Sequence, residues 1–350
     1  MKSFYLFFVL LLLTTSCKKK TPVGETQKEE ITVSEKSADF TLVFASCSDQ
    51  DREQPLWEPI LEMKPDLFIW GGDNIYADTD DMAKMKADYD KALADPGYAR
   101  LAASTKITGT WDDHDFGKND AGMEWDKKWE AQQLALDFLG ASEDDPRRTR
   151  EGLYASEVHE TDAGSIKFIL LDTRYFRSSL KQSEIEGRRY DSWTTEEGGD
   201  MLGDAQWTWL EEELKDDAHD FTVIVSSVQF LNDGHGWEKW GNMPSEMTRM
   251  YDALTNAKAR NIFFLSGDRH MAEVSVNADA GLGYPLVDFT SGGLTHTWID
   301  GATEGNEYRV SNVVKRLNYG LILFDFESME VTFQIRGEDN FLYEEFQQKY

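Results

Sequence analysis

The chain has 350 residues, 40% of them hydrophobic and 29% charged, with 36 Lys and Arg against 65 Asp and Glu. That apolar share is ample for a core and excludes a disordered tail protein, a collagen-like fibre and a disulfide-stapled mini-domain, the last also because only 2 Cys are present. A formal charge of −29 repels phosphate backbones at long range, so no nucleic-acid-binding module is expected and cations are the natural partners.

Residues 1–20 read MKSFYLFFVLLLLTTSCKKK. The apolar run Phe4–Leu13 is too short to span a bilayer and has the length of a secretory signal core. Leu13-Thr14-Thr15-Ser16-Cys17 resembles a bacterial lipobox, which predicts a signal peptide over 1–16, acylation of Cys17 and a membrane-anchored lipoprotein facing the periplasm or cell surface. The plainer alternative is an ordinary signal peptide with a coincidental cysteine; either way the protein is exported. Residues 17–38, rich in Lys, Thr, Glu and Ser, read as a flexible tether, and 39–350 as one globular unit.

Within that unit, strand-length apolar runs are predicted at Phe40–Ala45, Leu67–Trp70, Ile107–Trp111, Ile166–Leu171, Phe221–Val225, Ile262–Leu265 and Leu286–Phe289. Tyr319–Phe326 and Glu330–Ile335, joined by Glu327-Ser328-Met329, read as a hairpin. Helical patterns lie between the earlier runs, at Trp57–Met63, Asp80–Ala94, Glu124–Leu139, Gln206–Lys215 and Pro244–Ala259. Strand–helix alternation with a strand-rich end predicts a layered α/β sandwich, central β-sheets flanked by helices.

Ligands in such folds gather at the carboxyl ends of strands. The buried runs end here in Ser46-Cys47-Ser48-Asp49, Gly72-Asp73-Asn74-Ile75-Tyr76-Ala77-Asp78, Asp112-Asp113-His114-Asp115, Asp172-Thr173-Arg174 and Gly267-Asp268-Arg269-His270. One charge at a strand end is commonly a turn residue. Carboxylates, a thiol, a phenol and imidazoles at five ends, expected along one rim of one sheet, would repel one another unless multivalent cations neutralised them.

These blocks carry a resemblance. S-C-x-x-Q (Ser46 to Gln50), G-D-x-I-Y-A-D (Gly72 to Asp78), W-D-D-H-D-F (Trp111 to Phe116) and L-D-T-R (Leu171 to Arg174) resemble the signature blocks of PhoD-like alkaline phosphatases, a branch of the calcineurin-like metallophosphoesterases. L-G-x-x-Q-x-x-W-L (Leu202 to Leu210) and S-G-D-x-H (Ser266 to His270) come next, in the family's order. The resemblance implies a β-sandwich flanked by helices, hydrolysis of phosphate mono- or diesters, and a cluster of Fe3+ and Ca2+, other divalent metals being possible. By position it implies Cys47, Asp49, Asp73 and Tyr76 around the iron, with Asp73 bridging, and Asp113 and Asp268 on the calcium side. The wider superfamily's D-x-H and G-H-x-H motifs are absent, and 6 His in all disfavour a His-rich zinc site.

Two cations would neutralise phosphate oxygens and lower the pKa of bound water, so that hydroxide attacks in line. Arg174 is expected to clamp the phosphate through its planar fork, with Arg177 as helper. His114 is expected to protonate the leaving group or steady charge, and His270 to do the same work or to orient a ligand through its second nitrogen. Asp78, Asp112 and Asp115 stand as supporting residues, Asn119 and His235 as unassigned, and the stretch from Arg174 to Gly203, with Arg188, Arg189 and Tyr190, as a lid. Competing readings are a phospholipase-like phosphodiesterase of the same family, a hydrolase with Cys47 as nucleophile, and a non-catalytic calcium-binding surface lipoprotein.

Overall fold

The computed structural model describes residues 38–298 and 305–350, together with Met1. The signal peptide, Cys17 and the tether fall outside the described residues. Strands in chain order are β1 Phe40–Ala45, β2 Leu67–Gly71, β3 Lys106–Thr110, β4 Ala155–Glu160, β5 Ser165–Leu170, β6 Lys181–Gln182 and β7 Tyr190–Asp191. They continue with β8 Phe221–Ser226, β9 Ile262–Ser266, β10 Ala272–Asn277, β11 Leu286–Ser291, β12 Tyr319–Asp325, β13 Glu330–Arg336 and β14 Leu342–Lys349. The helices are α1 Trp57–Glu62, α2 Met82–Leu93, α3 Pro96–Ser104, α4 Asp113–Phe116, α5 Lys128–Phe138, α6 Gly203–Glu213 and α7 Pro244–Thr255. Among the described residues no helix is long and apolar enough to cross a membrane.

Two six-stranded sheets form the centre, in the orders β14-β13-β12-β1-β2-β3 and β10-β11-β9-β8-β5-β4. Strands β1, β2 and β3 run parallel, as do β5, β8, β9 and β11. The hairpin expected at 319–335 is the antiparallel pair β12–β13. The strands are apolar on both faces because both faces are covered. Alternation sends Phe40, Leu42, Phe44, Leu67 and Ile69 into the space between the sheets, against Phe168, Val223, Phe263 and Phe289 of the second sheet. The intervening Val43, Ala45, Phe68 and Trp70 pack outward under Trp57, Met85, Leu101 and Leu136 of α1, α2, α3 and α5. On the far side, Ile224, Ile262 and Phe264 pack under Trp207 and Leu210 of α6 and Met250 and Leu254 of α7. The result is a helix–sheet–sheet–helix sandwich, as the sequence pattern implies.

Three details differ. The strand ends lie on two facing sheets rather than on one, because β5, β8 and β9 pair with one another and not with β1 to β3. Strands β4 and β14 carry no apolar run because they are edges whose polar residues face water. Helix α3 is hidden in the sequence behind Asp95-Pro96, which looks like a stop. Asp95 is in fact an N-cap, accepting from Gly97 N at 2.8 Å, and Pro96 fits the first turn.

Phe263 shows what holds the sheets together: its ring stands edge-on to Phe333 at 5.0 Å and lies 6.0 Å from Phe324, both on the opposite sheet. Phe263→Ala should cost about 3–5 kcal/mol, read as a lowered denaturant midpoint with unchanged slope.

Candidate active site

Parallel strands bring their carboxyl ends to the same edge of each sheet, so the loops after β1, β2 and β3 face those after β8, β9 and β11. At these ends the backbone is strained. Cys47 (φ 61°), Asp73 (φ 51°), Asp268 (φ 60°) and His270 (φ 48°) all occupy the left-handed region. Such residues cost about 1–3 kcal/mol each and persist only where their surroundings hold them. Here Ser48 N donates to Asp73 O at 2.8 Å, Thr295 N to Cys47 O at 3.3 Å, and Trp298 N to His270 O at 3.1 Å. A Cβ on Gly267 would sit 2.6 Å from the Gly71 carbonyl and 2.7 Å from Ser46 Oγ, so a side chain there would force the two rims apart.

Two donor clusters result, sharing one carboxylate. Cys47, Asp73 and His270 place ligand atoms within 4.8 Å of one another, as do Asp73, Asp113 and His114. Cys47 Sγ lies 3.6 Å from Asp73 Oδ2, and Tyr76 OH donates to that same oxygen at 3.1 Å. His114 N donates to Asp113 Oδ1 at 3.0 Å and Asp120 N to Asp113 Oδ2 at 2.6 Å. His114 Nδ1 lies 2.6 Å from Asp78 Oδ2, and its ring packs 4.2 Å from that of Tyr76.

The electrostatics are those of a cation site. Burial first, then the Asp73 charge, pushes the Cys47 thiol well up. Burial, opposed by His114 and reinforced by Asp113 and Asp112, raises Asp73. Asp113 goes down despite its burial, because Arg174 and His114 face it. Asp268 is pushed up to about 7 by burial, Arg269 opposing and Asp113 and Glu238 adding. His114 rises to about 11: burial opposes, and the charge of Asp73 and the bond to Asp78 outweigh it. His270 falls to about 3 through burial and the neighbouring His296, and its buried Nδ1 has no hydrogen-bond partner. A neutral imidazole and a buried thiol beside Asp73, and the carboxyls pressed together around it, fit metal ions. The same burial argues against Cys47 as a nucleophile, which requires a thiolate in reach of substrate.

A family model described as PhoD-like phosphatase matches residues 42–329. The chain belongs to that family. Among solved structures, one titled as the structure of PhoD matches with a TM-score of 0.68 and 16% identity, over 89% of this chain and 70% of that one. A dimetal phosphatase from Danio rerio matches with a TM-score of 0.51 and 14% identity, over 89% of this chain and 99% of that one. No curated protein matches.

Several residues of this PhoD-like phosphatase lie elsewhere than the sequence implies. Arg174 is fully buried: Nε and Nη2 go to Asp112, and Nη1 donates to Glu238 Oε2 at 2.6 Å. Nε and Nη1 are thus bonded to protein carboxylates and the side chain is fully buried, which leaves it turned inward rather than open to a phosphate. Arg177 is likewise buried, bonded to Glu238 Oε1 at 2.9 Å and Asp120 O at 2.6 Å. Asp49 stands apart from both clusters, because its carboxylate accepts from Arg52 Nε and from Asp51 N, each at 2.9 Å. Asp268 also lies outside the two groups, in the field of Asp113, Glu238 and Arg174. His270, expected to act on the leaving group or to orient a ligand, joins Cys47 and Asp73.

Asp115 is fully buried and accepts from Asp112 N at 2.7 Å, fixing the start of α4. Asn119 is exposed and bonded to Asp120, and His235 is buried with Nδ1 accepting from Trp237 N at 3.2 Å. In the Arg174–Gly203 stretch, Arg189 pairs with Asp120 at 2.6 Å, and both Arg189 N and Tyr190 N donate to Gly236 O. Sequence reading missed Glu238 and His296. His296, whose ring lies 4.5 Å from His270 and 4.9 Å from Tyr76, comes just after β11. The signal was there, in Ser291-Gly292-Gly293-Leu294-Thr295-His296, another strand end closing on Gly and His.

These charges set two measurable outcomes. Folding raises the Asp268 carboxyl to about 7, so its contribution to stability is full below the unfolded value near ~4 and is lost as pH climbs toward 7. In metal-free protein, Asp268→Asn should therefore raise stability by about 1–3 kcal/mol at pH 8 and by nothing below about pH 4, tracked by thermal melts across that range. Arg174→Ala removes the buried partner of Asp112 and one of the two guanidiniums that pair with Glu238, and should cost about 3–5 kcal/mol of unfolding free energy. An unchanged unfolding midpoint with a collapsed kcat would restore Arg174 as a phosphate clamp.

Proposed function

We propose that this chain is a metal-dependent phosphoric ester hydrolase of the alkaline phosphatase D type, cleaving phosphate mono- or diesters outside the cytoplasm. The observation that carries the reading is Asp73, a buried strand-end carboxylate common to two donor clusters, in a member of a phosphatase family. Cys47, Tyr76, His270 and Asp73 offer a thiolate, a phenolate, an imidazole and a carboxylate, a set suited to Fe3+. Asp73, Asp113 and the adjacent Asp268 offer the hard oxygens that Ca2+ prefers. Bound there, the ions would supply charge against the phosphate oxygens and an acidified water.

The protein's own groups do the rest. His114 gives Nδ1–H to Asp78 and rests on the Tyr76 ring, which leaves Nε2 to protonate the departing alcohol, worth roughly 10²–10⁴-fold when well placed. Arg174, bonded to Asp112, holds the first residue of the Asp112–Asp115 turn and so positions Asp113 and His114. Substrate approaches from the mouth bordered by His296, Trp298 and the loop carrying His235, with the 174–203 stretch as its lid. Export and a lipid anchor at Cys17 belong to the same proposal, on the leader and lipobox pattern alone.

Elemental analysis joined to hydrolysis of paired mono- and diester substrates tests the reading. Iron plus calcium in the purified protein and loss of turnover with chelator are the expected results. Asp73→Ala should remove metal and activity together; a variant with full metal and full rate would refute the site.

A further inference from the structure

Trp237 and Trp298 are large apolar side chains left exposed beside the metal-ligand clusters, each with 38% of its surface free. They come from different loops, Trp237 from the Gly-rich loop after β8 and Trp298 from the segment after β11, yet their rings meet at 5.1 Å. Trp298 also stacks on His270, at 4.9 Å and 26°. From there the rings run on without a gap: His270 to His296 at 4.5 Å, His296 to Tyr76 at 4.9 Å, Tyr76 to His114 at 4.2 Å. One end of this series is in the metal-ligand clusters, the other is open.

Backbone bonds hold the open end in place. Trp298 N donates to His270 O, and Trp237 N to His235 Nδ1 at 3.2 Å. Gly236 O accepts from Arg189 N at 2.8 Å and Tyr190 N at 3.0 Å, so the Trp237 loop is tied to the 174–203 stretch. The Arg189 guanidinium stands 6.0 Å from the Trp237 ring centre. Two exposed indoles pinned in this way are a ready stacking surface.

Resting on the phosphatase reading, we infer that Trp237 and Trp298 form a stacking subsite for a flat π-ring carried by the alcohol half of the phosphoester, so that nucleoside or arylalkyl esters are preferred over plain sugar or glycerol esters. The pair is flanked by an imidazole and a guanidinium, themselves planar groups, which suits a ring face better than a flexible acyl chain. Stacking one base on an aromatic side chain corresponds to roughly 5- to 150-fold in affinity.

The test compares esters that differ only in the ring. Metal-loaded full-length protein is assayed with adenosine 5′-phosphate and ribose 5-phosphate, which release the same type of primary alkoxide, and with benzyl phosphate. The expected kcat/KM ratio of adenosine to ribose ester is at least about 5, falling toward 1 in Trp298→Ala and Trp237→Ala and largely kept in Trp298→Phe. Benzyl phosphate matching the adenosine ester assigns the site to any flat ring, and lagging behind it assigns the site to nucleobases. A parent ratio near 1, or a Trp298→Ala variant that slows both esters equally, overturns the inference. Calorimetric binding of adenosine against ribose needs no turnover. A preference for adenosine in protein that cleaves none of the esters would keep the subsite and sink the phosphatase reading instead.

Discussion

Concentrated negative charge out of reach of water is the constraint around which this protein is arranged. Cys47, Asp73, Asp112, Asp113 and Asp268 meet where the ends of two sheets close on each other, and all but Asp113 are pushed toward their protonated forms by burial. A folded chain tolerates such a gathering only if protons, arginines or metal ions supply the opposite charge. The structure uses each in a different place. Cys47 and Asp73 are left to protons or to bound cations, Asp112 faces Arg174, and Asp113 stays ionised between Arg174 and His114.

That division explains why the arginines are buried. A guanidinium with five N–H donors meets Asp112 and Glu238 at once, and Arg177 forms an ion pair with the second carboxylate. The network ties the end of β3 to the loop after β5 and to the Gly-rich loop after β8, three segments far apart in the chain. Its contribution is geometric: Asp113 and His114 directly succeed Asp112, so their placement depends on a salt bridge buried in the protein interior. The strained residues tell the same story at the other loops, where Cys47, Asp73, Asp268 and His270 keep left-handed backbones under the restraint of bonds across the rims.

The rings divide the site in another way. Tyr76, His114, His270 and His296 lie against one another close to the carboxylates, where burial keeps His270 and His296 neutral and able to offer a lone pair. Farther out the rings are tryptophans, with no ligand atom and with part of their surface exposed. The rings thus form one continuous series with a change of residue type along it, along which the proposed chemistry and recognition would meet.

Sequence alone determined the local features. Apolar runs ending in Gly, Asp, Cys and His marked the strands and the loops that bear ligands, because a strand buried on both faces has an abrupt compositional edge; β1 was legible to the residue at Phe40–Ala45. Family membership was legible for the same reason, since its blocks are those loops. Pairing was not. That β3 and β9 belong to different sheets and that Glu238 claims Arg174 from 64 positions away were decided only by tertiary structure. A side chain's partner depends on which groups the fold leaves within a few ångströms, and neither composition nor spacing records that distance. Whether an arginine grips substrate or a neighbouring carboxylate is the plainest case: its sequence motif is the same in both, and only the packed interior chooses.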